Sequence, residues 1–413
     1  MTDYYCDLSE GTFADRTGAD SSANVLTGPA GFQAAIRGTG NATALAAGDT
    51  LYLKGTGDQS RLVWLDVDTD VSSWPLNASV RNDTGSPDEW IGVVVQVNYK
   101  SNNDQILVWL NDGFTESDID LSHGIYYSVG PWNQGLDAKD TKGIEIDTNS
   151  GSTGSPISFV GVNSSWAEDG TQATLDGNDL ANANITNAGK DWLNFRNTTS
   201  KDSAGNAFEA TSAATECHFA NCIADNPATG GFEYNGGYWQ WSTFYRCKAF
   251  GFTTYGWRVY QTSLFGCAAW GGTGGCTGMY LNASAASNCV AFEQADGYGV
   301  NMLNGSQLVN CVLDANKYGL TLTDDAQQIV GSRITNNTTY GIAGAKPVTD
   351  LYCYYSGNGA NFQSDIHLDE DDGSSTRTTT GTVGYIDSDN ATLADRNYGL
   401  TNQAAARRQE VAL

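Results

Sequence analysis

The sequence predicts an all-β chain built on a parallel β-helix solenoid, with an N-terminal capping helix and a small β insertion. Three observations predict it. A cysteine recurs at Cys222, Cys247, Cys267, Cys289 and Cys311, gives way to Ser332 and returns at Cys353, in steps of 20 to 25 residues. A glycine recurs beside it at Gly231, Gly256, Gly278, Gly299, Gly319 and Gly341, also in steps of 20 to 25. Two independent columns with one period mark an architecture in which each unit stacks on the next. Within the units the residues alternate. Phe232, Trp257, Met279, Val300, Leu320 and Ile342 follow the glycines, then come Glu233, Arg258, Tyr280, Asn301, Thr321 and Ala343, then Tyr234, Val259, Leu281, Met302 and Leu322. Period two is strand, and no helix-length amphipathic segment separates the repeats.

Residues 1–60 read as an N-terminal cap and first coil. "GPAGFQAAIRGT", Gly28 to Thr39, predicts a short amphipathic helix with Phe32, Ala35 and Ile36 on one face, and "DTLYLKG" a strand after it. A cap is needed because the end of a solenoid presents unpaired backbone groups and an apolar cross-section. Residues 61–125 break the repeat: Val93 to Tyr99 and Gln105 to Leu110 are hydrophobic strands joined by a polar "KSNND" turn. This stretch reads as a small β insertion or, equally, as an irregular first part of the helix. Residues 126–368 are the parallel β-helix proper. Residues 369–413 form a closing segment, with a short helix over Ala404 to Leu413 that carries Arg407 and Arg408.

In the helix proper, Phe219, Phe244, Leu264, Ala286, Leu308 and Ile329 stand three residues before the cysteine position, and Ala224, Ala249, Ala269, Ala291, Leu313 and Ile334 two after it. The cysteine column therefore faces inward. Of nine cysteines, six belong to it, and they are expected as free thiols packing as small hydrophobes rather than as disulfides. Just before each comes Asn221, Arg246, Gly266, Asn288, Asn310 or Gly331. Asn and Gly tolerate the left-handed backbone that a sharp bend between two sheets requires. This pattern resembles the asparagine bend of the right-handed parallel β-helix (pectate-lyase-like) superfamily, which includes pectate lyases, polysaccharide depolymerases and bacteriophage virion β-helix proteins. The resemblance covers roughly Asp140 to Leu368 and implies the fold. The "DRNYGLT" stretch and the Arg-Arg segment after it are similar to the ends of β-helix proteins from marine-type bacteriophages.

Forty-seven acidic against 21 basic residues give a net charge of −26 among 413 residues, which argues against nucleic acid or an anionic membrane as partner. No apolar run approaches the ~20 residues of a membrane span, and the first residues lack the basic start and apolar stretch of a signal peptide. The expectation is folding in a host cytoplasm and residence on a virion surface after lysis.

For chemistry, His123, His218 and His367 are far apart, and Cys217 and Cys222 flank His218 at a spacing that suits packing better than zinc. Asp66, Asp68 and Asp70 lack the Gly and Glu of a calcium loop, and Asp369 to Asp372 read as a solvated run. No cofactor or metal is expected. The segment Gly231 to Trp270 is unusually aromatic: Trp239, Trp241, Tyr255, Tyr260 and Trp270, if exposed, form a sugar-stacking platform or a protein contact. Glu233 and Arg258 fall one coil apart in an outward column, about 5 Å by strand spacing. They are the first candidates for a lyase or hydrolase, with Asp314, Asp324 and Asp325 as further acids. A hydrolase needs two carboxyl groups at roughly 5 to 9.5 Å, and the outward column beyond Arg258 holds none. The favoured reading is a structural virion protein of a bacteriophage: a decoration, cement, fibre or spike component on capsid or tail, contacting other virion proteins and assembled as a homotrimer. The alternatives are a tailspike-like polysaccharide depolymerase, whose partner is polysaccharide, and a bacterial surface adhesin.

Overall fold

The computed structural model describes residues 2–9, 26–38, 44–76, 78–82, 89–97, 104–127, 135–141, 143–180, 183–324, 327–344, 346, 348–351, 353–363 and 368–369, in which short strands outside residues 62–141 pair in parallel with their counterparts in neighbouring coils. These are the residues described. The closing segment beyond Asp369, with Arg407 and Arg408, lies outside them, as do Asp325 and His367. The chain divides into two compact units, residues 1–211 and 212–413.

In the first unit, Thr50–Lys54 is the strand read from "DTLYLKG". It pairs in parallel with Ile157–Val162 on one side and with Asp3–Asp7 on the other, Asp3 opposite Thr50 and Asp7 opposite Lys54. The helix forms over Gly28–Arg37, with Pro29 in its first turn and Gly38 ending it in the left-handed region at φ 67°, its N–H donating to Ala34 O. Phe32, Ala35 and Ile36 are buried. Phe32 meets the Phe159 ring at 5.4 Å, and Phe159 stacks on Phe195 at 5.0 Å. Arg37, in the last turn, pairs with Glu145 at 2.9 Å and Asp147 at 2.8 Å, where a cation also suits the helix dipole.

The same unit carries a six-stranded antiparallel sheet in the order Leu136–Thr141, Leu62–Val67, Gln105–Leu110, Glu89–Val97, Ser79–Asn82, Ile125–Tyr127. It has its own core, with Val63, Leu65, Val80, Ile91, Val94, Ile106, Val108 and Ile125 buried together. Leu136–Thr141 forms one edge of the sheet, pairing with Leu62–Val67 with an irregularity after Leu136.

The second unit repeats one coil. Phe219, Phe244, Leu264, Ala286, Leu308 and Ile329 lie in register down a first sheet. The chain then bends through left-handed residues, φ 52° at Asn221 and 53° at Asn310. A second sheet follows, stacking Ala224, Ala249, Ala269, Ala291, Leu313 and Ile334. The third stacks Phe232, Trp257, Met279, Val300, Leu320 and Ile342. All the column cysteines are buried and free. Thiols of the column donate to backbone carbonyls, Cys289 to Leu264 O at 3.5 Å and Cys311 to Ala286 O at 3.3 Å, while Cys353 Sγ accepts from Ser332 N at 3.4 Å.

Close approach of coils explains the glycine column. A Cβ at Gly299 would sit 2.6 Å from Gly319 O and 2.7 Å from Asn316 Nδ2, so only glycine fits. That Asn316 belongs to a ladder inside a second bend: Asn316 N donates to Asn337 Oδ1 at 3.0 Å and Asn337 N to Asn358 Oδ1 at 3.0 Å. Asn316 Nδ2 donates to Ala291 O at 3.0 Å, so these buried amides satisfy backbone groups that the bend leaves without strand partners.

Candidate functional site

In the second unit, the outward face of the sheet holding Phe232–Tyr234, Tyr255–Tyr260, Thr277–Asn282, Tyr298–Leu303, Tyr318–Leu322 and Tyr340–Ala343 brings together Glu233, Arg258, Tyr255 and Tyr260. Strand alternation turns Trp257, Met279, Val300 and Leu320 into the core and leaves Arg258, Tyr280, Asn301 and Thr321 outside, in register. Glu233 and Arg258 meet as the column requires: Arg258 Nη1 lies 3.4 Å from Glu233 Oε1. Thr254 donates its hydroxyl to Glu233 Oε2 at 3.0 Å, and the glutamate is only 6 % exposed.

Tyrosines surround the guanidinium. Its carbon lies 4.1 Å from the Tyr234 ring centroid, 5.2 Å from Tyr255 and 5.9 Å from Tyr280. Burial lowers the affinity of Arg258 for its proton, but Tyr234, Tyr255 and Glu233 outweigh it and hold the group charged. Burial pushes the Tyr234 hydroxyl up, with Arg258 opposing. Tyr280 is raised by burial first and by its neighbouring tyrosines next, and the negative charge of Asp324 adds to the shift. Tyr260 completes the cluster through Tyr238, at 5.3 Å. Farther along, Tyr298 stacks on Tyr318 at 4.9 Å and Tyr318 on Tyr340 at 6.2 Å. Amides and hydroxyls lie between the rings: Asn301 Oδ1 accepts from Thr323 at 2.9 Å. Among the described residues, Arg258 Nε and Thr321 Oγ1 are buried polar atoms without a hydrogen-bond partner.

Other candidates sit elsewhere. Trp239, read as a candidate for an exposed platform, is buried at 1 % exposure: its indole packs edge-on against Phe219 at 5.1 Å and donates to Glu233 O at 3.1 Å. Core filling has won over display there, because Trp239 points inward while Gln240 takes the outward position. Trp241 is 57 % exposed, at a bend where its φ is 50°. Trp270 belongs to the second sheet, between Phe250 at 4.6 Å and Phe292 at 5.9 Å. Asp314 is also on that sheet, nearly buried and accepting from Thr335 at 2.9 Å and Asn336 at 2.8 Å. Sequence reasoning missed Tyr298, Tyr318 and Tyr340, which stand one residue before the glycine column and carry a legible signal in that spacing. No group of His, Cys, Asp and Glu among the described residues is arranged to hold a metal ion, and no helix among them is long and apolar enough to cross a membrane.

No family model matches the chain, and no curated protein does. Similar solved structures include a pectate lyase, Pel9A, at 13 % identity over 91 % of this chain and 82 % of that one, TM-score 0.44. The A-module of the Azotobacter vinelandii mannuronan C-5 epimerase AlgE4 is similar at 12 % identity, over 56 % of this chain and 86 % of that one, TM-score 0.38. ORF18 of Geobacillus virus E2 is similar at 9 % identity, over 55 % of this chain and 52 % of that one, TM-score 0.28. Likenesses of this size leave activity, substrate and partner to the geometry of this chain.

Proposed function

We propose that the protein is a glycan-binding β-helix displayed on a bacteriophage particle, a fibre or spike component whose tyrosine-lined face adheres to bacterial polysaccharide. The observation that carries the reading is the ring of Tyr234, Tyr255 and Tyr280 around Arg258, whose Nε has no partner among the described residues. Aromatic faces take the apolar faces of pyranose rings, while a fixed guanidinium and interspersed amides supply hydrogen bonds to hydroxyls. Parallel coils hydrogen-bonded one to the next make a stiff support for such a face. The acidic composition favours solubility at the concentrations of an assembling particle. Contacts to other virion proteins and a homotrimeric state belong to the same proposal.

Adhesion is favoured over cleavage because Glu233 already accepts from Arg258 and Thr254. A depolymerase is the second reading, favoured by one observation: the negative charge of Asp324 acts on Tyr280, in the column of Arg258, which puts a second acid within electrostatic reach of that face. Purified protein applied to an array of bacterial surface polysaccharides tests the choice. Retention without release of reducing or unsaturated ends supports adhesion, whereas release that disappears in Glu233→Gln establishes the depolymerase. Co-purification with intact particles tests the virion assignment, and absence from them overturns it.

A further inference from the structure

A groove lies between the first and second sheets of residues 212–413, along the left-handed bend, with a volume of about 710 Å³. It runs from the coil of Asn221 to that of Asn288, roughly 14 Å at ~4.8 Å per coil. One wall carries two exposed rings, Tyr245 at 49 % and Phe265 at 42 %, opposite each other in register. Lys248 lines the other wall.

The bend itself holds the telling residue. At this position the neighbouring coils have Asn221, Gly266, Asn288, Asn310 and Gly331, the residue types that accept a positive φ, but one coil has Arg246, at φ 52°. A long side chain in that conformation is strained, as it also is at Trp241 and Gln261 in another bend; what sets Arg246 apart is that it stands where the neighbouring coils carry Asn or Gly. Arg246 is exposed and extends over the groove. Its guanidinium lies 5.1 Å from the Tyr245 ring centroid, and its Cγ lies 3.7 Å from where Gly266 would carry a Cβ, so the glycine of the next coil leaves the space that the arginine stem crosses. Among the described residues no carboxylate pairs with it.

From this deviation in the repeat we infer that the bend groove binds a carboxylate-bearing polysaccharide, with Arg246 on the acid group, Lys248 adding positive charge to the wall, and Tyr245 and Phe265 stacking on the sugar rings. In a chain of net charge −26, a local cationic patch between aromatic rings selects an anionic sugar that the rest of the surface repels. The groove is separate from the tyrosine face, so its occupancy is independent of the function proposed above.

Two substitutions test it with residues the chain already uses at the matching places. Arg246→Asn installs the bend residue of Asn221 and Asn288, and Phe265→Ser installs Ser287, its partner in register. The probes are a hyaluronan tetrasaccharide and the same tetrasaccharide with its carboxyl groups reduced to alcohols. Wild-type protein should bind the acidic form at least tenfold more tightly than the reduced form. Each variant should lose at least tenfold in affinity for the acidic form, with the melting temperature of Arg246→Asn unchanged or raised. The inference is overturned by failure of the wild type to bind the acidic form, by equal binding of the two forms, or by undiminished binding in Arg246→Asn. A lowered melting temperature in Arg246→Asn also overturns it, since the arginine would then be there for the bend.

Discussion

Arg258 and Glu233 lie one coil apart, their closest atoms 3.4 Å from each other, with the carboxylate side chain 8 % exposed and the guanidinium 32 %. A pair in that setting is partly desolvated, and its geometry is held by Thr254 from one side and Tyr234 from the other.

Replacing Glu233 by Gln keeps the shape and removes the charge. Arg258 then faces tyrosines without its counter-ion, and the protein should lose about 1–3 kcal/mol of stability. Denaturant unfolding measures it. An unchanged midpoint would show that the pair is as loose as an ordinary surface one.

Leu320 and Val300 are fully buried in the core stack, and Thr321 stands beside Leu320 on the outward side. Leu320→Asp or Val300→Asp should abolish folding, since an unpaired buried charge costs more than a coil gains from burying a few apolar groups. Thr321→Asp should give soluble protein. Equal loss of soluble protein would mean that the two faces are misassigned.

Gly299→Ala places a methyl group 2.6 Å from Gly319 O. Because a carbonyl in a coil-to-coil ladder cannot retreat without breaking its bonds, the loss should be about 2 kcal/mol or more. Thermal unfolding decides it, and a shift of less than about 1 °C would contradict the close-approach account.

Burial raises Cys247, Cys267, Cys289 and Cys311 well above the ordinary thiol value of 9.0. These groups stay protonated in the folded chain while the unfolded chain ionises, so the folded state binds more protons above pH 9 and stability falls as pH rises past that value. Below it the four contribute no slope. Native protein at pH 8 should resist alkylation at all four by mass spectrometry, and denatured protein should react at each. Rapid labelling of the native form would place the column outside the core.

The core was legible because a solenoid writes each coil over its neighbour, so Cys289 and Cys311, or Val300 and Leu320, announce their contact by spacing alone. Asp3–Asp7 was not legible as a partner of Thr50–Lys54, since its strand has no repeat in sequence to align with. The amides of Asn316 and Asn337 follow the same period, but polar residues near turns read as solvated until the bend is seen to enclose them. At the site, register alone foretold the pairing of Glu233 with Arg258. The inward turn of Trp239 and the placing of Trp270 on another sheet depend on where each bend falls, and an aromatic-rich stretch does not declare that.

The most direct test of the glycan-binding account is the affinity of Tyr318→Ala for whichever array polysaccharide the wild type retains. Tyr318 is half-buried, its ring stacked between those of Tyr298 and Tyr340, so its loss breaks the row of rings offered to a ligand while leaving the core stack untouched. The account predicts a loss of at least tenfold, about 1.4 kcal/mol, with the melting temperature nearly unchanged and with stacking largely kept in Tyr318→Phe. Equal affinity of Tyr318→Ala and wild type, or no retention of any polysaccharide by the wild type, would contradict it.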